Sequence, residues 1–364
     1  MATALLASNQ SAVFIRTQTS LGQWIDPTPS NGASPPVYSG AYAIRAIGAP
    51  KFAVRGAGII DRKEVFTPWA GNTSSRTGGL GWDITLQTEF FWQFGLAYDV
   101  DLSTQTQLAA LWLSSPWAIS NQVVVSPTAS NDTLLAVQPF FEVDTDRSPT
   151  NYAVQPFSMV YEETGGKRYE AFDCVALPKI SWEYGQRVMI DWTIKGSWRP
   201  VTNSLEVVPS YVLTATQPPV IGVNCALTVT GMTATAVDAV TKVTIDTGWT
   251  LNDVGDTRKE YGFGVSFFRL DTSPSLEIEM AEFDEAAQSS WTDAESNKIG
   301  ASIVLVMTTG SSKTWTIRLN NPQYVAFPEN GGETNGYRSN ALKWQAIPDS
   351  AATLMSFAMT SVAP

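Results

Sequence analysis

Residues 276–282 read LEIEMAE, so apolar and acidic side chains alternate along this stretch of the chain. Successive side chains of a β-strand point to opposite faces. The spacing therefore predicts a strand with Leu276, Ile278 and Met280 on a core face and with Glu277 and Glu279 on a wet face. Similar runs of β-branched and aromatic residues recur between clusters of Gly, Pro, Asn, Asp and Ser. The sequence therefore predicts an all-β fold.

The strand pattern is clearest in nine segments, and helical periodicity is scarce by comparison. The predicted strands are Ser11–Thr17, 82–90, Phe157–Glu163, 188–194, 226–230, 242–246, 276–282, 302–307 and 314–319. One predicted helix spans 104–113, where Thr104 and Gln107 form a capping-box pair, and a second spans 285–298. Residues 163–167 contain Gly165-Gly166 between two strands and predict a hairpin turn.

The composition excludes many kinds of enzyme. The chain has 364 residues, 16% of them charged, a formal net charge of −11 and no histidine. Catalytic triads and metal sites that depend on histidine are therefore excluded. The net negative charge disfavours binding of nucleic acid through a basic surface patch. Cys174 and Cys225 lack the spacing of a zinc site or a disulfide framework, so we expect two buried thiols. We expect no catalytic residue, no cofactor and no bound metal.

The beginning of the chain and its apolar runs bear on localisation. Residues 1–10 lack the basic region and the apolar run of an export signal, and no apolar run approaches the length of a membrane span. The sequence predicts a protein without an export signal and without a membrane partner.

The chain is predicted to hold two copies of one β domain. DRKE at 61–64 recurs as DTRKE at 256–260, and a strand ending EF at 89–90 recurs at 282–283. A helix candidate follows each of these strands. GQR at 185–187 leading to Trp192 then recurs as GYR at 336–338 leading to Trp344. We place the domains at 1–204 and 225–364, joined by a Pro-rich linker at 205–224.

Two other functions remain open on the residues alone. The 13 tryptophans suggest a carbohydrate-binding β module, because aromatic rings stack on sugars. Paired carboxylates are the one catalytic option left without histidine, and the acidic cluster at 277–285 would suit a glycoside hydrolase. Core packing of the tryptophans and a solvated acidic strand face explain both features more simply.

The region after residue 157 resembles the major tail tube proteins of phages with long, non-contractile tails. The resemblance is carried by GSWRP at 196–200, PPV at 218–220, ALTVTG at 226–231, GGKRY at 165–169 through WTIKG at 192–196, PSLEIE at 274–279 and NPQ at 321–323 with the strand ending at Trp344. These motifs cover about 150 of the 364 residues. The first 150 residues depart from the pattern in a Pro-rich stretch at 26–38 and an insertion after Trp117. The first domain has therefore gained a decoration, or the chain is a related tail component.

The resemblance implies a structural protein of the virion tail, made in the host cytoplasm. It implies two tail-tube-type β-sandwich domains, each with one flanking helix. Three chains would form a ring with pseudo-sixfold symmetry, and stacked rings would form a tube through which DNA passes without specific binding. The implied partners are the chain itself and the tape measure, tail terminator and tail tip proteins.

Two sets of residues follow as predicted sites. The stretches 62–81 and 252–273 are predicted to be loops that pack on the next ring, with Arg62, Asn72, Arg76, Asp253 and Arg258 as their charged and polar residues. The channel is predicted to have an acidic wall that repels phosphate, because paired lysines or arginines would hold DNA. Its predicted residues are Glu277, Glu279, Asp83 and Glu89. The alternative is that this acidic face lies on the tube exterior.

Overall fold

The structure of the chain is a computed structural model. It describes residues 11–18, 22, 24–27, 42–44, 46–56, 59–63, 72–77, 80–89, 111, 114–115, 131–137, 156–163, 166–203, 221–223, 225–233, 240–255, 263–270, 273–281, 284–308, 313–325, 327, 329–334, 337–347 and 355–362. The predicted helix at 104–113 and most of the linker at 205–224 lie outside these residues. Leu111, which is described, is helical and buried.

The described part of the chain is mostly β-strand. The strands of the first half are β1 (Ser11–Thr17), β2 (Tyr42–Ile44), β3 (Lys51–Gly56), β4 (Ile59–Lys63), β5 (Asn72–Thr77), β6 (Leu80–Glu89), β7 (Asn131–Val137), β8 (Phe157–Glu163), β9 (Lys167–Glu183), β10 (Met189–Trp198) and β11 (Thr202–Asn203). The elements of the second half are β12 (Cys225–Thr230), β13 (Val240–Asp246), β14 (Trp249–Gly255), β15 (Phe263–Leu270), β16 (Ser275–Ala281), α1 (Asp284–Glu295), β17 (Ser302–Thr308), β18 (Lys313–Asn320), β19 (Pro322–Tyr324), β20 (Glu329–Thr334), β21 (Tyr337–Ala346) and β22 (Met355–Val362). The predicted all-β class is confirmed.

One antiparallel sheet of 13 strands runs through both halves of the chain. Eight of its strands lie side by side in the order β19-β21-β16-β13-β9-β10-β6-β3, and β1, β2, β8, β11 and β20 attach to this path. The halves meet where β13 pairs with β9, with Lys242 opposite Glu183 and Ile245 opposite Ile180. We call this pairing the internal junction.

A second sheet has the order β12-β17-β18-β22-β7 and covers the apolar face of the second half. Its buried residues Leu305 and Ile317 belong to the same hydrophobic cluster as Leu276 and Ile278 of β16. The first half is closed differently, because the large sheet curls over itself. Tyr161 on β8 stacks on Phe52 of β3 with ring centroids 6.1 Å apart, although the two strands are far apart in the sheet.

The curl depends on β9, which changes partners along its 17 residues. Its first part pairs with β8, and its last part pairs with β13. Between them the register with β10 shifts, and Asp173 has a positive φ of 50°. The Asp173 carboxylate accepts the Gly22 N–H at 2.8 Å. This bulge bends the strand and fixes the N-terminal segment on it.

The two halves share one order of strands. The large sheet runs β3-β6-β10-β9 in the first half and β13-β16-β21-β19 in the second. In each half a two-stranded hairpin, β4–β5 or β14–β15, lies in sequence between the first and second of these strands. The halves differ elsewhere, because β1 pairs with β8 whereas β12 pairs with β17.

The predicted strands match the observed ones closely, since most ends agree within two residues. The largest difference is β10, which runs on to Trp198 rather than ending at Ile194. The predicted turn at 163–167 joins β8 to β9, with the Gly166 N–H bonded to the Glu163 carbonyl at 2.9 Å. Helix α1 ends earlier than the predicted 298, because Asn297 adopts a left-handed φ of 50°.

The stretches 62–81 and 252–273 were expected to be loops, and this is wrong. Each forms most of an antiparallel hairpin, β4–β5 or β14–β15. Both stretches are rich in Gly, Ser, Thr and Asn, a composition that strand pairing can override.

Candidate functional site

One face of the eight-strand path points away from the core and extends across both halves of the chain. Residues directly opposite each other on paired strands share a face. The register places Glu277 beside Lys343 on one side and beside Thr244 on the other. Thr244 lies beside Ser181 of the first half, so the row continues across the internal junction. We call this surface the polar face.

In the second half the two predicted glutamates are on the polar face and are paired with lysines. The Glu279 Oε1 atom is 2.9 Å from the Lys242 Nζ atom, and the Glu277 Oε2 atom is 3.7 Å from the Lys343 Nζ atom. The hydrogen bond to Glu279 and its charge raise the pKa of the Lys242 ammonium above its usual value. Both glutamates are half-exposed, as the alternation with Leu276 and Ile278 predicts.

In the first half Asp83 has the same arrangement. Its Oδ1 atom is 2.9 Å from the Arg55 Nη1 atom on β3, and its other neighbour in the sheet is Lys195. On the same face of β6, four residues after Asp83, the Gln87 side chain donates a hydrogen bond of 2.8 Å to Asp191. Asp191 in turn lies opposite Lys179. The carboxylates of this half also sit beside cations.

The charges of the polar face balance. Apart from the buried Glu89, and from Glu170 and Arg168 at the start of β9, its acidic residues are Asp83, Glu183, Asp191, Asp246, Glu277 and Glu279, and its basic residues are Lys51, Arg55, Lys179, Lys195, Lys242 and Lys343. Six acidic and six basic residues give a formal sum of zero, so these residues do not account for the net charge of −11. A predominantly acidic wall was predicted, whereas three of these carboxylates, Asp83, Glu277 and Glu279, form ion pairs with basic residues of the same face.

Glu89 differs from the other three predicted residues. It lies in register with the polar face, opposite Met189, but only 2% of it is exposed. Its carboxylate forms an ion pair with Arg187, whose side chain is 60% exposed. Arg187 therefore covers Glu89, and the expectation that this carboxylate faces an open channel does not fit its burial.

The residues predicted for ring stacking lie on the two hairpins. Arg62 is on β4 opposite Ser74, Asn72 and Arg76 are on β5, and Asp253 is on β14. Arg258 lies outside the described residues. The structure brings the first three together on one hairpin and places Asp253 on the other.

A second charged cluster lies on the first half, and it was not expected from the sequence. The Arg168 guanidinium is 2.7 Å from Glu170, 3.0 Å from Asp26 and 3.9 Å from Glu162, and Arg199 is 2.8 Å from Glu170. Burial alone would lower the pKa of Arg168, but the carboxylates of Asp26, Glu170 and Glu162 raise it above its usual value. Each carboxylate faces a guanidinium, so the cluster fixes residues 24–27 on the sheet rather than forming an acid and base pair.

The described residues also bear on three other possible functions, which are sugar binding by tryptophans, metal binding and membrane insertion. Trp82, Trp182, Trp192 and Trp344 are buried in the core. The described residues include no group of three or more acidic, histidine or cysteine side chains placed to hold a metal ion. No described helix has the length and apolar character needed to cross a membrane.

Burial makes both cysteine thiols poor nucleophiles at neutral pH. It raises the pKa of the Cys174 thiol well above its usual value and that of Cys225 to about 12. The prediction of two thiols without a disulfide agrees with the free state of both cysteines, although Cys225 is only partly buried.

Comparisons with known proteins place the chain in no family. No protein-family model matches the sequence, and a search of curated proteins finds no match.

Proposed function

We propose that this chain is the repeating subunit of a phage tail tube, in which copies join head to tail into rings that stack around a channel for DNA. The observation that carries the proposal is the internal junction. It joins β9, the last strand of the first-half order, to β13, the first strand of the second-half order. The edges that remain, β3 and β19, are the equivalents of β13 and β9. The contact between β9 and β13 within one chain is therefore a template for a contact between β19 of one copy and β3 of the next.

Head-to-tail contacts form closed rings when the rotation between copies closes. Three copies with eight path strands each would give 3 × 8 = 24 strands around the ring. At about 4.8 Å per strand the circumference is about 115 Å, and the backbone diameter is about 37 Å before strand tilt widens it. Such a bore leaves room for a nucleic-acid duplex after side chains are added. The duplicated domains and the trimeric ring remain part of this proposal.

The polar face is the surface that we assign to the channel wall. A wall of free lysines would take up phosphate and release counterions, which would slow the passage of DNA. The lysines at 242 and 343 already face Glu279 and Glu277 on neighbouring strands. Paired charges present a hydrated wall with little net attraction for phosphate. A wall of balanced charge would therefore let DNA pass without binding, as the acidic wall predicted from the sequence would.

The carbohydrate-binding alternative gains no support from the tryptophans in the core, because a buried indole cannot stack on a sugar, and the exposed Trp291 has Phe327 stacked on its ring. The glycoside hydrolase alternative needs two carboxylates in contrasting environments. The half-exposed Glu277 and Glu279 instead share one type of environment, beside lysines. The structural role is therefore the better supported function.

Electron microscopy and native mass spectrometry of the purified protein test the proposal. We expect rings or hollow tubes in micrographs and a trimer as the smallest closed species in the mass spectrum. A protein that stays monomeric at all concentrations, or that forms rings of six chains, would contradict the trimeric ring.

A pair of matched cysteine variants tests the channel wall. Thr193→Cys places a thiol in the middle of the polar face, and Thr228→Cys places one on an exposed strand position of the second sheet. In unassembled protein both thiols should react with a bulky polymer maleimide. In tubes we expect Thr228→Cys to react and Thr193→Cys to react only with a small maleimide. Equal reaction of both variants in tubes would place the polar face on the exterior.

The proposal extends to the other tail components. A tube needs a start and an end, so we propose the tape measure, tail terminator and tail tip proteins as partners and the virion tail as the location. Coexpression with and without these proteins would show whether they set the length of the tubes.

A further inference from the structure

Exposed apolar side chains gather around β19, at the end of the eight-strand path opposite β3. Trp291 and Phe327 are each 50% exposed and stack on each other with ring centroids 5.2 Å apart. Ile299 and Val325 are also exposed. We call these four residues the edge patch.

The backbone places the whole edge patch beside β19. Helix α1, which carries Trp291, packs against β19. The Gly300 N–H, next to Ile299, bonds to the Pro322 carbonyl at 2.8 Å, and the Val325 N–H continues the pairing with β21 by bonding to Lys343. Tyr324 of β19 is buried against Trp344 on the core side, and its hydroxyl group interacts with Ser290 of α1, so α1 with Trp291 lies on that side of the sheet. Val325 lies opposite Lys343 and is therefore on the side of the polar face.

The opposite free edge, β3, also exposes an apolar side chain toward the core side. Val54 lies opposite the buried Trp82, and Phe52 lies opposite Ile84. Phe52 is partly covered, but Val54 is 59% exposed. In the described part of the chain β3 pairs with β6 alone, so its second row of backbone groups has no strand beside it. An exposed strand edge of this kind pairs readily with another chain.

The internal junction shows what happens to such residues when a strand joins the edge. On β13, the equivalent of β3, Val243 lies beside Trp182 of β9 and Ile245 lies beside Ile180. Val243 and Ile245 are both buried. A neighbouring strand and its side chains therefore bury at β13 the kind of residue that β3 leaves exposed.

We infer that the edge patch of one copy packs against Val54 and Phe52 of the next copy, with β19 of the first alongside β3 of the second. The inference rests on the proposed function, because it names the residues that make the head-to-tail contact. The occupant is a second copy of this chain because the internal junction already joins the equivalent edges, with apolar residues on the core side of both. Aromatic side chains buried at the centre of an interface commonly supply most of its affinity.

Crosslinking tests the pairing directly. We would prepare Val54→Cys and Phe327→Cys as separate proteins, mix them under assembly conditions and add a short bis-maleimide. We expect heterodimers that contain one of each variant. The Cys225 thiol, whose pKa is about 12, should contribute little, and wild-type protein under the same conditions measures its background. Dimers formed mainly between two copies of one variant would overturn the inference, since a head-to-tail contact joins unlike edges.

The critical concentration for assembly gives the second measurement. Val54→Asp and Trp291→Ala should each raise it at least about tenfold, because each removes a large part of the apolar contact. Tyr184→Ala is the matched control, since Tyr184 is exposed in the turn after β9 and away from both free edges. Circular dichroism and urea unfolding of the unassembled variants separate loss of assembly from loss of fold.

The outcomes distinguish this inference from the proposed function. Wild-type protein that forms no rings would defeat both. Wild-type rings with unchanged critical concentrations for Val54→Asp and Trp291→Ala, and no heterodimers on crosslinking, would overturn the edge contact and leave the tube proposal standing. If the patch binds a different tail protein, Trp291→Ala should assemble normally, and this result also overturns the inference.

Discussion

Gly196 lies where β10 passes the bulge of β9, and we expect the substitution Gly196→Ala to destabilise the fold by about 2 kcal/mol. A Cβ atom at this position would be 2.5 Å from the Cys174 Sγ atom and 3.3 Å from the Phe172 carbonyl oxygen. Both neighbours are constrained, because Cys174 is buried and the carbonyl belongs to the backbone of β9. The added methyl group must therefore displace one of the two strands.

Urea unfolding of the unassembled protein measures this cost. With a slope of about 3 kcal/mol/M, a loss of 2 kcal/mol moves the unfolding midpoint down by about 0.7 M. The variant Cys174→Ala removes the Sγ atom and leaves a small cavity, which should cost about 1 kcal/mol alone.

The double variant tests the reasoning, because the new Cβ atom then enters the space that the sulfur vacated. We expect it to be at least about 1 kcal/mol more stable than the sum of the two single changes predicts. A midpoint for Gly196→Ala within error of wild type, or strictly additive effects in the double variant, would refute the steric explanation.

Three further predictions follow from described contacts. At pH 8 a thiol with a pKa of about 12 is ionised in about one molecule in 10,000. Iodoacetamide should therefore modify Cys174 and Cys225 only after unfolding, as mass spectrometry can show, and rapid native labelling would contradict the assigned burial. Because the pKa of Lys242 is raised in the fold, its ion pair with Glu279 stabilises the protein below the unfolded pKa of 10.5, and this contribution is lost as the pH rises through the folded value. The half-exposed pair is worth about 0.5 kcal/mol, so the stability difference between wild type and Lys242→Met should be small at pH 8 and disappear once the pH exceeds the folded pKa of Lys242. Trp82→Phe should cost about 2 kcal/mol, because the indole N–H donates a 2.9 Å hydrogen bond to a buried backbone carbonyl, and an unchanged unfolding midpoint would show that this bond contributes little.

Local pattern was sufficient for the nine predicted strands and for the faces of their side chains. The alternation at 276–282 correctly separated the buried Leu276 and Ile278 from the half-exposed Glu277 and Glu279. The alternation along β6 likewise separated Trp82 and Ile84 from Asp83. These features depend on the two-residue period of one strand, which a single sequence contains in full.

The partners of these residues could not be predicted in the same way. Glu279 meets Lys242 and Glu277 meets Lys343 because strands distant in sequence pair in a particular register. Register depends on the whole sheet, so the acidic residues of these strands were recognisable from the sequence but the lysines opposite them were not. An available signal was the position of Lys242 within a predicted strand, which put it on one of the two faces of the sheet.

Burial of a charged residue at a strand end was also beyond local pattern. Glu89 follows the alternation of β6, but Arg187 from the turn after β9 covers it. Only the three-dimensional path of that turn brings the guanidinium to the carboxylate. The hairpins β4–β5 and β14–β15 were missed for different reasons. The Asn and Ser residues of β5 carry little strand preference, whereas the Val and Phe residues of β15 are a strand signal that its polar surroundings obscured.

Strand pairing between the two halves predicts how the protein behaves when its chain is cleaved between them. β9 of the first half pairs with β13 of the second, and β7 of the first half completes the sheet of the second by pairing with β22. A protease cut within residues 204–220 would thus break one covalent bond and leave two backbone ladders in place. The two fragments should travel together through a sizing column, and genes encoding them separately should complement each other in one cell. In the proposed ring, the covalent link would fix equal numbers of the two halves and their alternation.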